Sequence, residues 1–283
     1  MPTAVVDGIA TRYEIVGAGP PLLMLSPGGF DATLDKWRTL GIYARTRPLD
    51  HLARQFTCII FDRRECGASG GRVEAIAWAH YAAQAKGLLD HLGIARAHLM
   101  GGCMGCCTAV AFAAAYPDAA QSMILWWPVG GARYRIRGRQ RFADHLAHVQ
   151  AHGLESVVTR AQLEGKSFAA DPRGGPWSSV IRQDAAFAAA YGKLDPVRYA
   201  ATVTAMMNNL HDRDTAPGAD AEDLMRLAIP SLIVPGRDES HTTSAARFLE
   251  ECLAGAEYWD VPVDAQTESG SAERLARFLT ARA

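Results

Sequence analysis

Six short apolar runs separated by helical stretches are what most restrict the folds open to this chain. They are LLMLS (22–26), TCIIFD (57–62), AHLMG (97–101), SMILWW (122–127), SLIVP (231–235) and EYWDV (257–261). Each is brief and rich in Ile, Val, Leu or aromatic residues, the pattern of strands covered on both faces. Between them Tyr81, Ala85, Leu88, Leu89 and Leu92 keep a helical stripe that stops at Gly93. A second helix starts in "GGCMGCC" and runs through "AVAFAAAYPD", and a last one reads "SAERLARFLTARA". Alternation of this kind predicts an α/β class fold built on a doubly wound, mainly parallel sheet.

At 283 residues and 49% hydrophobic, the chain can bury one large core. A net charge of −1 gives no reason to expect nucleic acid or a membrane surface as partner. No run of 18 apolar residues suits a membrane span. The start, "MPTAVVDGIATRYEIVGAG", lacks the basic-then-apolar pattern of a leader, so the six cysteines are expected as reduced thiols in the cytoplasm.

Residues 130–222 break the alternation and read as helical throughout. They are expected to form a lid over the carboxyl edge of a core made of residues 1–129 and 223–283. The block opens with Arg133, Arg135, Arg137, Arg139 and Arg141, either a solvated basic edge or an anchor for a carboxylate or phosphate. His145, His148 and His152 follow at helical spacing, with no acid or thiol paired to make a metal site.

Gly101-Gly102-Cys103-Met104-Gly105 has the form Gly-x-nucleophile-x-Gly between a strand and a helix. Such a turn forces its central residue into a strained conformation and needs small residues two places to either side. It displays a thiol at a helix N-terminus, where the Met104 amide can stabilise an oxyanion and the dipole favours a thiolate. Cys103 and Cys106 do not suit a metal or redox pair, since no second Cys or His pair is spaced to join them.

These residues resemble the α/β-hydrolase superfamily over essentially the whole chain. "LSPGGF" is similar to its His-Gly loop, which implies Gly29, with Phe30 second, as the other oxyanion donor. "FDRRECGASGG" resembles its Asp-x-Arg-Gly-x-Gly-x-Ser stretch, with Asp62, Arg64, Gly67 and Ser69 kept and Glu65 where a glycine is usual. "IPSLIVPGRDES" resembles the strand and turn that deliver the acid, which would be Asp238. The superfamily's histidine follows the last strand, but here Gln266 stands in that place and cannot shuttle a proton. His241, three residues after Asp238, is the nearby substitute, and His211 is the next candidate.

The resemblance implies a cysteine-nucleophile enzyme that hydrolyses or transfers an acyl group of an ester, thioester or activated C–C bond. Its site would hold Cys103, Asp238 and His241, with Gly29 and Met104 around the oxyanion and Phe30, Trp127 and Gln266 against substrate. The substrate would be a small, hydrophobic or aromatic molecule, with no metal or organic cofactor. Self-association as a homodimer stays open. So do two other readings: a ligand receptor that has lost its base, and a lyase or isomerase without a covalent step.

Overall fold

The structure is a computed structural model that describes residues 2–282. Eight strands form one sheet: β1 (Thr3–Val6), β2 (Ile9–Val16), β3 (Pro21–Leu25), β4 (Thr57–Phe61), β5 (Ala97–Gly102), β6 (Ala120–Trp126), β7 (Ser231–Val234) and β8 (Glu257–Tyr258). Their order is β1-β2-β4-β3-β5-β6-β7-β8. From β4 onward every neighbour is parallel, while β1 and β2 are antiparallel additions at one edge.

The N-terminal hairpin is absent from the sequence reading. Its signal is Asp7-Gly8, with φ of 49° and 71°, the left-handed pair that a tight hairpin turn requires. Strand β8 is shorter than the apolar run suggested. The Trp259 amide still bonds the Ile233 carbonyl at 2.9 Å, but Pro262 lies three residues on and cannot donate to a ladder.

Side chains alternate across the sheet. Leu23, Leu25, Ile59, Phe61 and Leu99 face helices α1 (Trp78–His91) and α2 (Gly105–Ala115). Leu22, Met24, Ile60, Met100 and Trp126 face the other way, against Trp37, Tyr43, Phe56 and Phe278. Both layers are closed, and each fully buried Leu contributes roughly 1.5–3 kcal/mol. Continuous apolar runs are the consequence.

Between β6 and β7 no strand occurs among the described residues, and the regular structure from Ala132 to Met225 consists of helices joined by loops. This block, drawn from sequence as 130–222, is led by α3 (Ala132–Glu164), which kinks at Gly153, and includes α4 (Pro196–Leu210). Its rings meet the sheet loops at the carboxyl ends of the strands. Phe142 and Phe168 pack edge-on against Phe30 at 5.5 and 5.0 Å. The Trp177 indole donates to the Arg72 carbonyl at 2.7 Å. After β7 come α5 (Thr243–Cys252) and α6 (Glu268–Thr280). No described helix is long and apolar enough to cross a membrane.

Candidate active site

The chain turns from β5 into α2 at Cys103, whose φ of 53° lies in the left-handed region. Two glycines make that turn fit. A Cβ on Gly101 would stand 2.6 Å from the Cys106 backbone, and one on Gly105 would stand 2.1 Å from the Leu25 carbonyl oxygen. Strand and helix therefore close together and lift the Cys103 side chain to the edge of the sheet. It is only partly covered and opens on a cavity of about 280 Å³.

Cys106 and Cys107, on the same turn, have the opposite surroundings. The Cys106 thiol points at the carbonyls of Gly101 and Trp126, 3.2 and 3.4 Å away. Burial pushes both thiols well above their usual range. They are core residues, not a redox partner for Cys103, and all six cysteines are free.

The loop after β7 carries both charged partners. Asp238 Oδ1 accepts the amides of Ser240 and His241 at 2.8 and 2.9 Å, closing a tight turn on itself. Its carboxylate also takes His241 Nδ1, at 2.7 Å from Oδ2. That bond is the main reason the carboxyl is held well below its usual range. With Nδ1 engaged, His241 Nε2 has no other hydrogen-bond partner, and the ring is coupled to the Cys103 sulfur.

The sulfur and the ring charge one another. Burial alone would raise the thiol, but the His241 ring outweighs it, aided by the amides of Met104 and Gly28, and the thiol falls below its usual value. Burial would likewise neutralise the imidazole, yet Asp238 and the sulfur lift it to about 10. Each partner therefore favours the charged form of the other, thiolate and imidazolium.

On the β3 side, Gly28 at φ 111° and Gly29 at φ 61° form the turn beside the sulfur, and the Gly28 amide helps to lower the thiol. Gly29, Phe30 and Met104 line the cavity.

Two expected substrate contacts lie elsewhere. Gln266 is fully buried, and its carboxamide is used up. Its oxygen accepts the indoles of Trp126 and Trp127 at 3.1 and 3.0 Å, and its nitrogen donates to the carbonyls of Pro235 and Val261 at 3.2 and 3.4 Å. Trp127, at φ 56°, is clamped by that bond with its ring 5.4 Å from the His241 ring. It backs the imidazole rather than lining the cavity.

The first turns of α3 form another wall of the cavity. Tyr134, Arg137, Gly138 and Arg141 line the cavity, at the i, i+3, i+4, i+7 spacing of one helix face. The arginine run is thus divided by the helix. Arg133 and Arg137 pair with Glu239, Arg135 pairs with Asp214 at 3.3 Å, and Arg139 bonds Asn208 at 3.0 Å. Reading the run by alternation hid this face, and the helical period finds it.

Residues 21–130 match the family described as the alpha/beta hydrolase fold. The chain has the α/β-hydrolase fold. An enol-lactonase from Burkholderia xenovorans aligns over 99% of this chain and 100% of its own, with a TM-score of 0.62 and 20% identity, a likeness of fold. Among curated proteins, the dihydrolipoyllysine-residue acetyltransferase component of the acetoin cleaving system of Cupriavidus necator is 32% identical over 159 residues, 56% of this chain. A 2-hydroxy-6-oxo-6-phenylhexa-2,4-dienoate hydrolase of Comamonas testosteroni is 56% identical over 45 residues, 16% of this chain. The chain spans 37% and 16% of the lengths of these two relatives.

The superfamily's Asp-x-Arg stretch has a structural use in this chain. Asp62 is fully buried and accepts the amides of Leu34 and Ala68, both at 2.8 Å, while the Ser69 hydroxyl donates to the Asp62 carbonyl at 2.8 Å. A Cβ on Gly67 would meet that carboxylate at 2.3 Å. Glu65 takes the left-handed conformation (φ 65°) that a glycine adopts freely, and it is tied to Arg64 at 2.9 Å rather than facing the cavity. Burial raises its carboxyl to about 7.

The other histidines separate clearly. His145 is buried and bonds the Tyr199 hydroxyl at 2.6 Å, while His148 bonds Ser156 at 3.2 Å, so the three lid histidines do not converge on one point. No group of three His, Cys, Asp or Glu able to hold a metal occurs among the described residues. His211 lies on the cavity wall, buried, with neither ring nitrogen hydrogen-bonded, and burial pulls it down to about 4.

Proposed function

We propose that this α/β hydrolase cleaves an acyl substrate through Cys103. The thiolate attacks the acyl carbonyl, and the tetrahedral oxyanion develops beside the Met104 and Gly28 amides, with Gly29 on the same wall. His241 gives its proton to the leaving group as the carbon–leaving-group bond breaks, and a thioester remains on Cys103. The neutral imidazole then takes a proton from water, or from another acceptor, which attacks the thioester. The acid or transferred ester departs and the thiolate returns. Asp238 fixes the ring with Nδ1 toward itself and Nε2 free.

The observation that carries this reading is the Asp238–His241–Cys103 chain at the mouth of a cavity, with no other group on Nε2. The same imidazole argues against a receptor that has lost its base. That the relatives are named as hydrolases and an acyltransferase component agrees with acyl chemistry. The aromatic wall at Phe30 and Tyr134 suits an apolar or aromatic substrate body.

The test is alkylation and trapping. Iodoacetamide at pH 7 should label Cys103 faster than a free thiol, aryl esters should leave an acyl adduct on it in the mass spectrum, and Cys103→Ala should abolish turnover. An unreactive Cys103, or turnover at the wild-type rate in Cys103→Ala, would overturn covalent catalysis.

A further inference from the structure

One wall of the cavity at Cys103 is built to hold a negative charge that the acyl chemistry does not use. Arg141 lines it and makes no ion pair or hydrogen bond to any described group, while the neighbouring Arg137 is paired with Glu239. The Tyr134 hydroxyl is buried without a partner, on a residue 8% exposed. His211 is 1% exposed and both its ring nitrogens lack partners. Unpartnered polar groups at this depth are costly unless something joins them.

The three groups lie together. The Tyr134 and His211 rings are 5.1 Å apart, and Arg141 is electrostatically coupled to both. The helix makes room for this meeting: a Cβ at position 138 would stand 2.2 Å from the His211 ring, so only Gly138 admits it. A glycine inside a helix costs stability, and here the space it leaves is filled by the imidazole.

All three can donate. A guanidinium has no acceptor, a phenol has an O–H to give, and a neutral imidazole has one N–H. No carboxylate lines the cavity among the described residues. One free cation and two neutral donors balance one negative charge, the charge of a carboxylate, where a phosphate carries about −1.5 to −2 at pH 7. At about 280 Å³ the space is at the small end of ligand sites.

We infer that Arg141, Tyr134 and His211 form a carboxylate-binding subsite, so that the substrate is a small acyl compound with a carboxylate at the end remote from the scissile bond. The placing of the scissile bond rests on the role proposed for Cys103, whereas the subsite itself can be tested without turnover.

In Cys103→Ala protein, calorimetry should show monomethyl succinate binding roughly 10- to 100-fold more tightly than dimethyl succinate. Arg141→Gln in that background should erase the difference, Arg141→Lys should keep part of it, and Tyr134→Phe should reduce it about 3- to 10-fold. Equal binding of the two esters, binding of neither, or a preference untouched by Arg141→Gln would overturn the subsite. Inorganic phosphate binding more tightly than the monoester would overturn the choice of carboxylate. Failure of acyl trapping on Cys103 with the monoester preference intact would instead sink the nucleophile and leave the subsite standing.

Discussion

The turn after β7 and the turn after β8 leave neighbouring strands on the same edge of the sheet, and both close over the region behind Cys103. Residues 236–241 carry a carboxylate and an imidazole, and one nitrogen of that ring is left free for the sulfur. Residues 262–267 carry Gln266, which is neutral, wholly buried and saturated by two indoles and two carbonyls. In the superfamily pattern the imidazole belongs to the second turn. Here an imidazole stands in the first turn, and the second turn holds a carboxamide that clamps two indoles. A residue can thus be essential to the shape of a site through Trp127 without touching anything that reacts.

The largest expected effect breaks the first turn. His241→Ala should cost on the order of 10²-fold or more in turnover, and should slow Cys103 alkylation as burial alone then governs the thiol. Adding Gln266→His to that variant should restore nothing, because Trp127 stands between position 266 and the imidazole site. Recovery of activity in the double variant would show the two turns to be interchangeable.

A smaller effect tests the clamp. Gln266→Leu leaves the Trp126 and Trp127 indoles without their acceptor, a loss of about 1–3 kcal/mol for each buried group stranded. Denaturant unfolding should register it, and turnover should fall less than in His241→Ala. If stability were unchanged, the carboxamide would be a bystander.

The smallest effect is one of position along the pH axis. His241 has a folded value of about 10, above its unfolded value near 6.5, so its charged form stabilises the native state fully below about 6.5. That contribution is lost as pH rises through 10. Activity should therefore rise as the thiolate forms, below the usual thiol value, and decline near pH 10. Gln266→Leu should leave that alkaline decline in place, since no titrating group is removed, and an alkaline shift there would tie the clamp to the proton.

How much of this was legible beforehand follows from chemistry. The parallel sheet shows in unbroken apolar runs because both faces are covered, and the elbow shows because only glycine fits at 101 and 105. Asp238 and His241 could be named because they are close in sequence; the structure ties Asp238 to His241, and His241 is coupled to Cys103. The N-terminal hairpin escaped because exposed edge strands alternate and are easily taken for loop. Trp127 and Gln266 were named against substrate, and their contact with each other escaped because it spans 139 positions and nothing local marks a carboxamide as a clamp. Arg141 was named within the arginine run as one possible anchor for an anion, but which of the five arginines faces the cavity, and that Tyr134 joins it, follows only from the helical period that sorts them onto different sides.

Asp238 Oδ1 holds two backbone amides and the same carboxylate holds the ring, all within four consecutive residues. Acid and base are consequently one mechanical part. A disturbance that opens this tetrapeptide would not detune the imidazole by degrees: it would unlatch proton carrier and counter-charge in a single event, leaving the sulfur an ordinary thiol.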